Sequence, residues 1–314
     1  MSSKTTVHLS GPADLIATLP YQLGFHPSRC VIAVTLHGTR LGLVQRVDLP
    51  EPSHVPDAAR AMVVPMCADK AQTVILVAFE DVAGQAAPLL GEVATRAAAA
   101  GIEVADTLVV RAGRWYSLTC LSPACCPPTG TALLASPAVA AEFVGRGVNP
   151  APSRQAVAAS LEAGPGAVSA VGFEVSVAAV LAAWAKVMTS GALTAGEVRA
   201  AAASLTDTDF RDALVVHLCP SSVPREELSP AQLDLLGTLP ALVVPGALGR
   251  MVALCAALAD DSAAPALTVL ATYSWSVGDG ALATMALGRA LRVAPTYRLA
   301  ELTMTMIELG IRIP

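Results

Sequence analysis

Three cysteines fall within seven positions in Cys120-Leu-Ser-Pro-Ala-Cys125-Cys126-Pro-Pro, directly after Arg114-Trp115-Tyr116. Thiolates are soft donors that suit zinc, so Cys120, Cys125 and Cys126 form a candidate zinc set. The spacing matches no standard finger, and neighbouring cysteines reach one tetrahedral ion awkwardly. A fourth ligand has to come through the fold, with Cys30 or His26 as candidates. A disulfide between the adjacent pair is strained. The plainer reading is a loop whose shape is set by Pro123, Pro127 and Pro128.

A second group is Leu23-Gly-Phe-His26-Pro27-Ser28. His26 has the chemistry of a general base, and Asp48 in Arg46-Val-Asp-Leu-Pro50 that of its orienter. The plainer reading is a structured turn. The chain carries no nucleophile elbow, phosphate-binding loop or zinc-protease helix, so the balance leans away from an enzyme. Glu162-Ala-Gly-Pro-Gly166 lacks the helix spacing of a dinucleotide site. Thr206 to Asp212 holds three carboxylates without the glycine and final glutamate of a calcium loop, and reads as a charged helix start.

These groups need a frame. The chain has 314 residues, of which 54% are hydrophobic, 14% charged and only 4% aromatic. Its core is therefore built from Ala, Val and Leu. A net charge of −5 argues against nucleic acid as the main partner, because phosphate contact needs a basic surface. The opening is polar, and no apolar run reaches the roughly 20 residues of a membrane span. Seven cysteines, an odd number in a long chain, argue against a disulfide framework. A cytoplasmic protein is expected, with Cys30, Cys67 and Cys255 as buried hydrophobes.

Residues 1–130 read as an α/β domain, a mixed sheet with packed helices. The expected order is a strand at Thr5–Ser10, a helix from Pro12 to Leu23 kinked or shortened by Pro20, and a hairpin from Cys30 to Val47. A helix then spans Asp57–Ala68, a buried strand Thr73–Phe79 and a helix Val82–Ala100. Strands at Val104–Val110 and Arg114–Cys120 follow. Residues 131–314 read as all-helical. Capping boxes are expected at Thr194/Glu197, Thr206/Asp209 and Ser229/Gln232.

Residues 265–309 carry the spacing of a tetratricopeptide-type hairpin. Ala271, Ala283 and Ala290 allow close helix approach, Leu267, Leu270 and Leu287 fill the space, and Gly278-Asp279 breaks the first helix. A capping helix from Tyr297 to Leu309 is expected to present Leu299, Leu302, Met306 and Leu309 on one stripe. Arg289, Arg292, Tyr297 and Arg298 are candidate contacts for a protein or peptide partner. Low surface charge adds self-assembly into a homo-oligomer as a third alternative, beside partner binding and a metal-dependent enzyme or regulator.

Leu19-Pro-Tyr-Gln-Leu-Gly-Phe-His-Pro27, Arg46-Val-Asp-Leu-Pro50, Cys125-Cys-Pro-Pro-Thr-Gly130, Phe210-Arg-Asp-Ala-Leu214 and Trp275-x-x-Gly-Asp-Gly-Ala-Leu-Ala283 together resemble domain of unknown function 4192. That family is typical of actinobacteria and their phages. The resemblance spans nearly the whole chain and implies an intracellular protein. It brings no activity, cofactor or catalytic residue. The family usually places Ser after an acidic residue where Arg29-Cys30 stand here.

Overall fold

A computed structural model describes residues 9, 11–134, 137–145, 148–189, 192–244 and 246–311. The strand expected at Thr5–Ser10 lies outside these, apart from Leu9. The chain forms two compact units. The first runs through Arg154 and includes Glu308–Ile311; the second spans Gln155–Ile307.

The first unit contains α1 (Pro12–Leu23), β1 (Cys30–His37), β2 (Arg40–Asp48), α2 (Val55–Ala68), β3 (Thr73–Phe79), α3 (Ala87–Ala99), β4 (Glu103–Arg111), β5 (Arg114–Ser117), β6 (Thr131–Ala132) and α4 (Pro137–Val144). The strands form one mixed sheet in the order β2-β1-β3-β4-β5-β6. Only β3 and β4, joined through α3, run parallel; every other neighbour is antiparallel. The β-branched run of β1 is buried from Cys30 to Thr35, as a central strand requires. Val31 and Ala33 of β1 meet Val74, Leu76 and Ala78 of β3 on one face. Met62 and Met66 of α2 and Leu89 and Val93 of α3 cover them.

Three details depart from the sequence pattern. Pro20 neither shortens nor ends α1, which runs to Leu23 with Leu15, Ile16, Leu19 and Leu23 buried. That buried stripe outweighs one lost backbone bond. The helix expected from Val82 starts only at Ala87, because the Glu80 carboxylate collects the N–H groups of Gly84 and Ala86, both at 3.1 Å. β5 stops at Ser117 rather than Cys120, where Ser117 Oγ accepts the N–H groups of Thr119 and Cys120 and turns the chain.

The second unit is helical: α5 (Arg154–Leu161, whose first residue belongs to the other unit), α6 (Val177–Thr189), α7 (Ala195–Ser204), α8 (Thr208–Leu218), α9 (Pro230–Thr238), α10 (Ala247–Ala256), α11 (Asp260–Ser276), α12 (Gly280–Val293) and α13 (Arg298–Glu308). The capping boxes at Thr194/Glu197 and Ser229/Gln232 form as expected. At the third site Asp207, not Thr206, caps α8, accepting the N–H groups of Asp209 and Phe210. A carboxylate is the stronger acceptor at the positive end of a helix. α11 and α12 pack as a hairpin, with Leu267, Leu270, Ala271, Ala283, Leu287 and Ala290 all at 0% exposure. Gly278 takes φ +93°, and the Asp279 carboxylate accepts from Leu282 N–H to start α12.

The stripe expected to seal α13 against this pair does not do so. Leu302 and Met306 are exposed, and Ala300 and Thr303 are the buried residues. At about 100° per residue Thr303 and Met306 are only about 60° apart, so the buried strip adjoins the apolar stripe and is centred on the small residues Ala300 and Thr303.

Two outcomes follow from this frame. Replacing Glu80 by Ala strands Arg111 beside a buried site and frees two backbone N–H groups; a loss of about 3 kcal/mol is expected in urea unfolding. The Glu197 carboxyl is held down to about 2, first by the Lys186 ammonium at 2.6 Å and then by the Thr194 N–H. Its folded value lies below the ordinary 4.5, so its contribution is complete above pH 4.5 and is lost as pH falls towards 2. Thermal melts of Glu197→Gln should show a flatter acid limb over that window; an unchanged limb contradicts the assignment.

Candidate functional site

The chain reverses after β5, and this reversal builds the thiol cluster. Asp106 Oδ1 accepts Ser117 Oγ and Thr107 N–H at 2.8 Å each, and also Thr119 Oγ1. That anchors the exit from the strand. Cys120 then leads into a tight turn in which Ser122 O accepts the N–H groups of Cys125 (3.1 Å) and Cys126 (2.7 Å). The turn folds Cys125 and Cys126 back towards Cys120. All three Sγ atoms lie within 4.8 Å of one another, with Cys125 and Cys126 Sγ 3.8 Å apart.

The return path is fixed as firmly. Arg114 donates to Thr129 O at 2.7 Å and to Gly130 O at 2.6 Å. Gly130 has φ +73°, and a Cβ there would sit 2.5 Å from the Tyr116 ring. The face of Tyr116 carries the Arg111 guanidinium at 4.9 Å, and Arg111 in turn donates to buried Glu80 at 2.6 Å. A short edge strand, β6, pairs with β5 and closes the loop. The sequence pattern missed β6 because two residues carry no periodicity.

The thiols differ from one another. Hydrogen bonding, first from the Ser122 backbone and then from the Cys126 thiol, lowers the pKa of Cys120. The same contact with Cys120 pushes Cys126 up to about 12. Of these two thiols, Cys120 is the easier to ionise. A tetrahedral zinc with Zn–S bonds of about 2.3 Å needs its sulfurs about 3.8 Å apart. The cluster is close to that spacing, and the adjacency of Cys125 and Cys126 does not keep their sulfurs from facing one site. Among the described residues no fourth histidine, cysteine or carboxylate joins the group. Cys120 and Cys126 line a concavity of about 320 Å³ together with Trp115, Leu118, Leu121 and Pro127.

The other candidates lie elsewhere. Cys30 is buried beside Arg46, and desolvation, partly offset by that guanidinium, pushes its thiol up to about 11. It does not reach the cluster. His26 is exposed, and among the described residues it bonds only through its backbone, donating to Ala151 O at 3.0 Å. The Asp48 carboxylate is taken by Arg46 at 2.5 Å, and no hydrogen bond joins it to His26. The pair is therefore not set as base and orienter. Cys67 is exposed, contrary to expectation, because α2 turns Met62, Val63 and Met66 inward; Cys255 is buried as expected.

Of the four candidate contacts on the helical unit, Arg289 is a correction. It is only 3% exposed, and its guanidinium donates to Leu161 O, to Cys255 O (3.0 Å), to Leu258 O (3.1 Å) and to Asp260 (2.9 Å). It ties the ends of α5 and α10 to the start of α11. The helical period of α12 places it inward, where three carbonyls near helix ends and the Asp260 carboxylate accept from its two terminal nitrogens while Nε has no hydrogen-bond partner among the described residues. Arg292 is exposed and pairs with Glu162 at 2.7 Å. Arg298 is exposed and lies 3.6 Å from Glu301. Tyr297 is half-buried and accepts from Arg211 at 3.3 Å.

Gly130→Ala should destabilise the fold by about 1–3 kcal/mol more than Gly113→Ala in chemical denaturation. Both positions have positive φ, but only Gly130 abuts a ring; equal losses would remove the Tyr116 contact from the account.

A family model described as domain of unknown function (DUF4192) matches residues 12–172 and 169–312. No curated protein and no solved structure matches the chain.

Proposed function

The chain belongs to the domain of unknown function (DUF4192) family, and from that premise we propose that it is a zinc-organised module for docking a protein or peptide partner. The observation that carries this is the convergence of Cys120, Cys125 and Cys126 Sγ within 4.8 Å. A thiolate-bound ion would cross-link the two arms of the loop and fix its shape. The same loop holds apolar side chains out to solvent: Leu118 is 56% exposed and Leu121 91%. Large apolar groups gathered on a rigid loop are the usual anchors of a recognition surface. Seven unpaired cysteines fit a reducing compartment such as the cytoplasm, and no helix among the described residues is long and apolar enough to cross a membrane.

A second reading places the partner on the helical unit, with α11, α12 and α13 acting as a tetratricopeptide-like stack. The outward stripe of Leu302 and Met306, flanked by exposed Arg298, favours it. Either surface, presented to a second copy of the chain, would give a homo-oligomer instead.

The full chain, purified under reducing conditions with zinc present and then exchanged into metal-free buffer, should retain about one zinc per chain by elemental analysis. Cys120→Ser and Cys126→Ser should each lower zinc affinity at least tenfold in competition with a chromophoric chelator. Wild-type protein that retains no zinc, or serine variants that bind it equally well, would reject the proposal.

A further inference from the structure

The three loop thiols are not equivalent as bonding partners. Cys125 and Cys126 Sγ lie 3.8 Å apart, yet these two residues suit each other least. A trans peptide fixes their Cα atoms about 3.8 Å apart, whereas a disulfide usually spans Cα atoms about 4.4–6.8 Å apart. Cys120 has no such restriction. It stands six positions before Cys126, and the turn on Ser122 O folds the two together, with all three Sγ atoms within 4.8 Å of one another. Cys120 and Cys126 line the same concavity, and Cys125 does not line it. The Cys126 side chain is also the foremost thiol contact of Cys120. Both residues are partly exposed, so a small reagent reaches them from solvent. Cys67 is exposed as well but lies on α2, outside the group, and Cys30, Cys219 and Cys255 are buried.

We propose that Cys120 and Cys126 are an oxidative modification site, which hydrogen peroxide joins in a reversible disulfide while Cys125 stays a thiol. One sulfur of the pair attacks a peroxide oxygen. The O–O bond breaks, an S–O bond forms, and the departing hydroxide takes up the thiol proton as water. The second sulfur then attacks the sulfenic sulfur. The S–S bond forms, and the hydroxyl leaves as water with the second thiol proton. Two thiols and one peroxide thus give one disulfide and two waters, with two electrons passing from sulfur to oxygen. The sulfurs close to about 2.05 Å by rotation about their Cα–Cβ bonds. The loop around them is already pinned at both ends, by Asp106 on Ser117 and Thr119 and by Arg114 on Thr129 and Gly130. In a reducing compartment such a bond is transient, as befits a site that responds to oxidant. The reaction needs no metal, so it stands apart from the zinc reading.

For the test, the full-length chain is reduced, freed of reductant and held with a chelator, so that no ion guards the thiols. It is treated with a modest excess of hydrogen peroxide in the presence of dimedone, which caps sulfenic acids. Remaining thiols are blocked with N-ethylmaleimide, and the products are read by intact mass and peptide mapping. Capping of exposed Cys67 reports that the oxidant is active. The wild-type chain should lose two loop thiols together, with Cys120 linked to Cys126, and dithiothreitol should restore both. Cys125→Ser should form the same bond to the same extent. Cys120→Ser leaves only the adjacent pair in the loop, and its disulfide yield should fall by about tenfold or more, because several kcal/mol of strain oppose that pair. A bond mapped to Cys125, or no bond while Cys67 is oxidised, overturns the proposal. So does loss of the bond in Cys125→Ser, or an undiminished yield in Cys120→Ser. With the chelator present, none of these results bears on zinc binding, which is measured separately.

Discussion

The buried carboxylate of Glu80 governs the first unit. A charge at 6% exposure persists only if its oxygens are satisfied. Here they accept Arg111 and the N–H groups of Gly84 and Ala86. Those three bonds join the end of β3 to the end of β4 and decide where α3 begins. They also hold Arg111 over Tyr116, whose ring packs on the glycine that closes the thiol loop. The position of the cysteines is thus inherited from the sheet interior. A loop that looks independent in sequence is the far end of a relay of polar and aromatic contacts.

The helical unit solves the same problem with the opposite charge. Arg289 lies among alanines and leucines, and its terminal nitrogens are met by three carbonyls near helix ends and by the Asp260 carboxylate. Small residues make this workable. With Ala271, Ala283 and Ala290 at the α11–α12 contact, the backbones come close enough for one guanidinium to reach several chain segments. A core of alanine and leucine gives little directional preference of its own. The buried arginine supplies it.

What could be read from sequence divides along physical lines. The β-branched run of β1, the buried strand β3 and the alanine spacing of α11 and α12 were legible because each depends on a local period. The capping boxes at Thr194 and Ser229 were legible because their partners lie three residues apart. The late start of α3 was not, since it depends on a carboxylate whose main partner is 31 residues away. Arg289 was misplaced outward because charge suggests solvent, and the carbonyls that hold it belong to distant helix ends. The three cysteines were found by proximity in sequence, yet their convergence needed the Ser122 turn, which no residue pattern announces. The outward stripe of α13 reversed an expectation because periodicity identifies an apolar face without saying which face is covered.

The sheet order has a bearing on how the molecule comes into being. Apart from the exchange of the first hairpin, each strand lies beside the one that precedes it in the chain. The hairpins β1–β2 and β4–β5 close short loops at small entropic cost, whereas β1 must wait for β3 and β3 for β4, each across an intervening helix. Such a sheet can grow as the polypeptide leaves the ribosome, edge by edge, with β4 offering its flank to β5 within a few residues of its own completion. The thiol-bearing reversal lies between the last two strands of that series, β5 and β6, so it leaves the ribosome after the strands that support it.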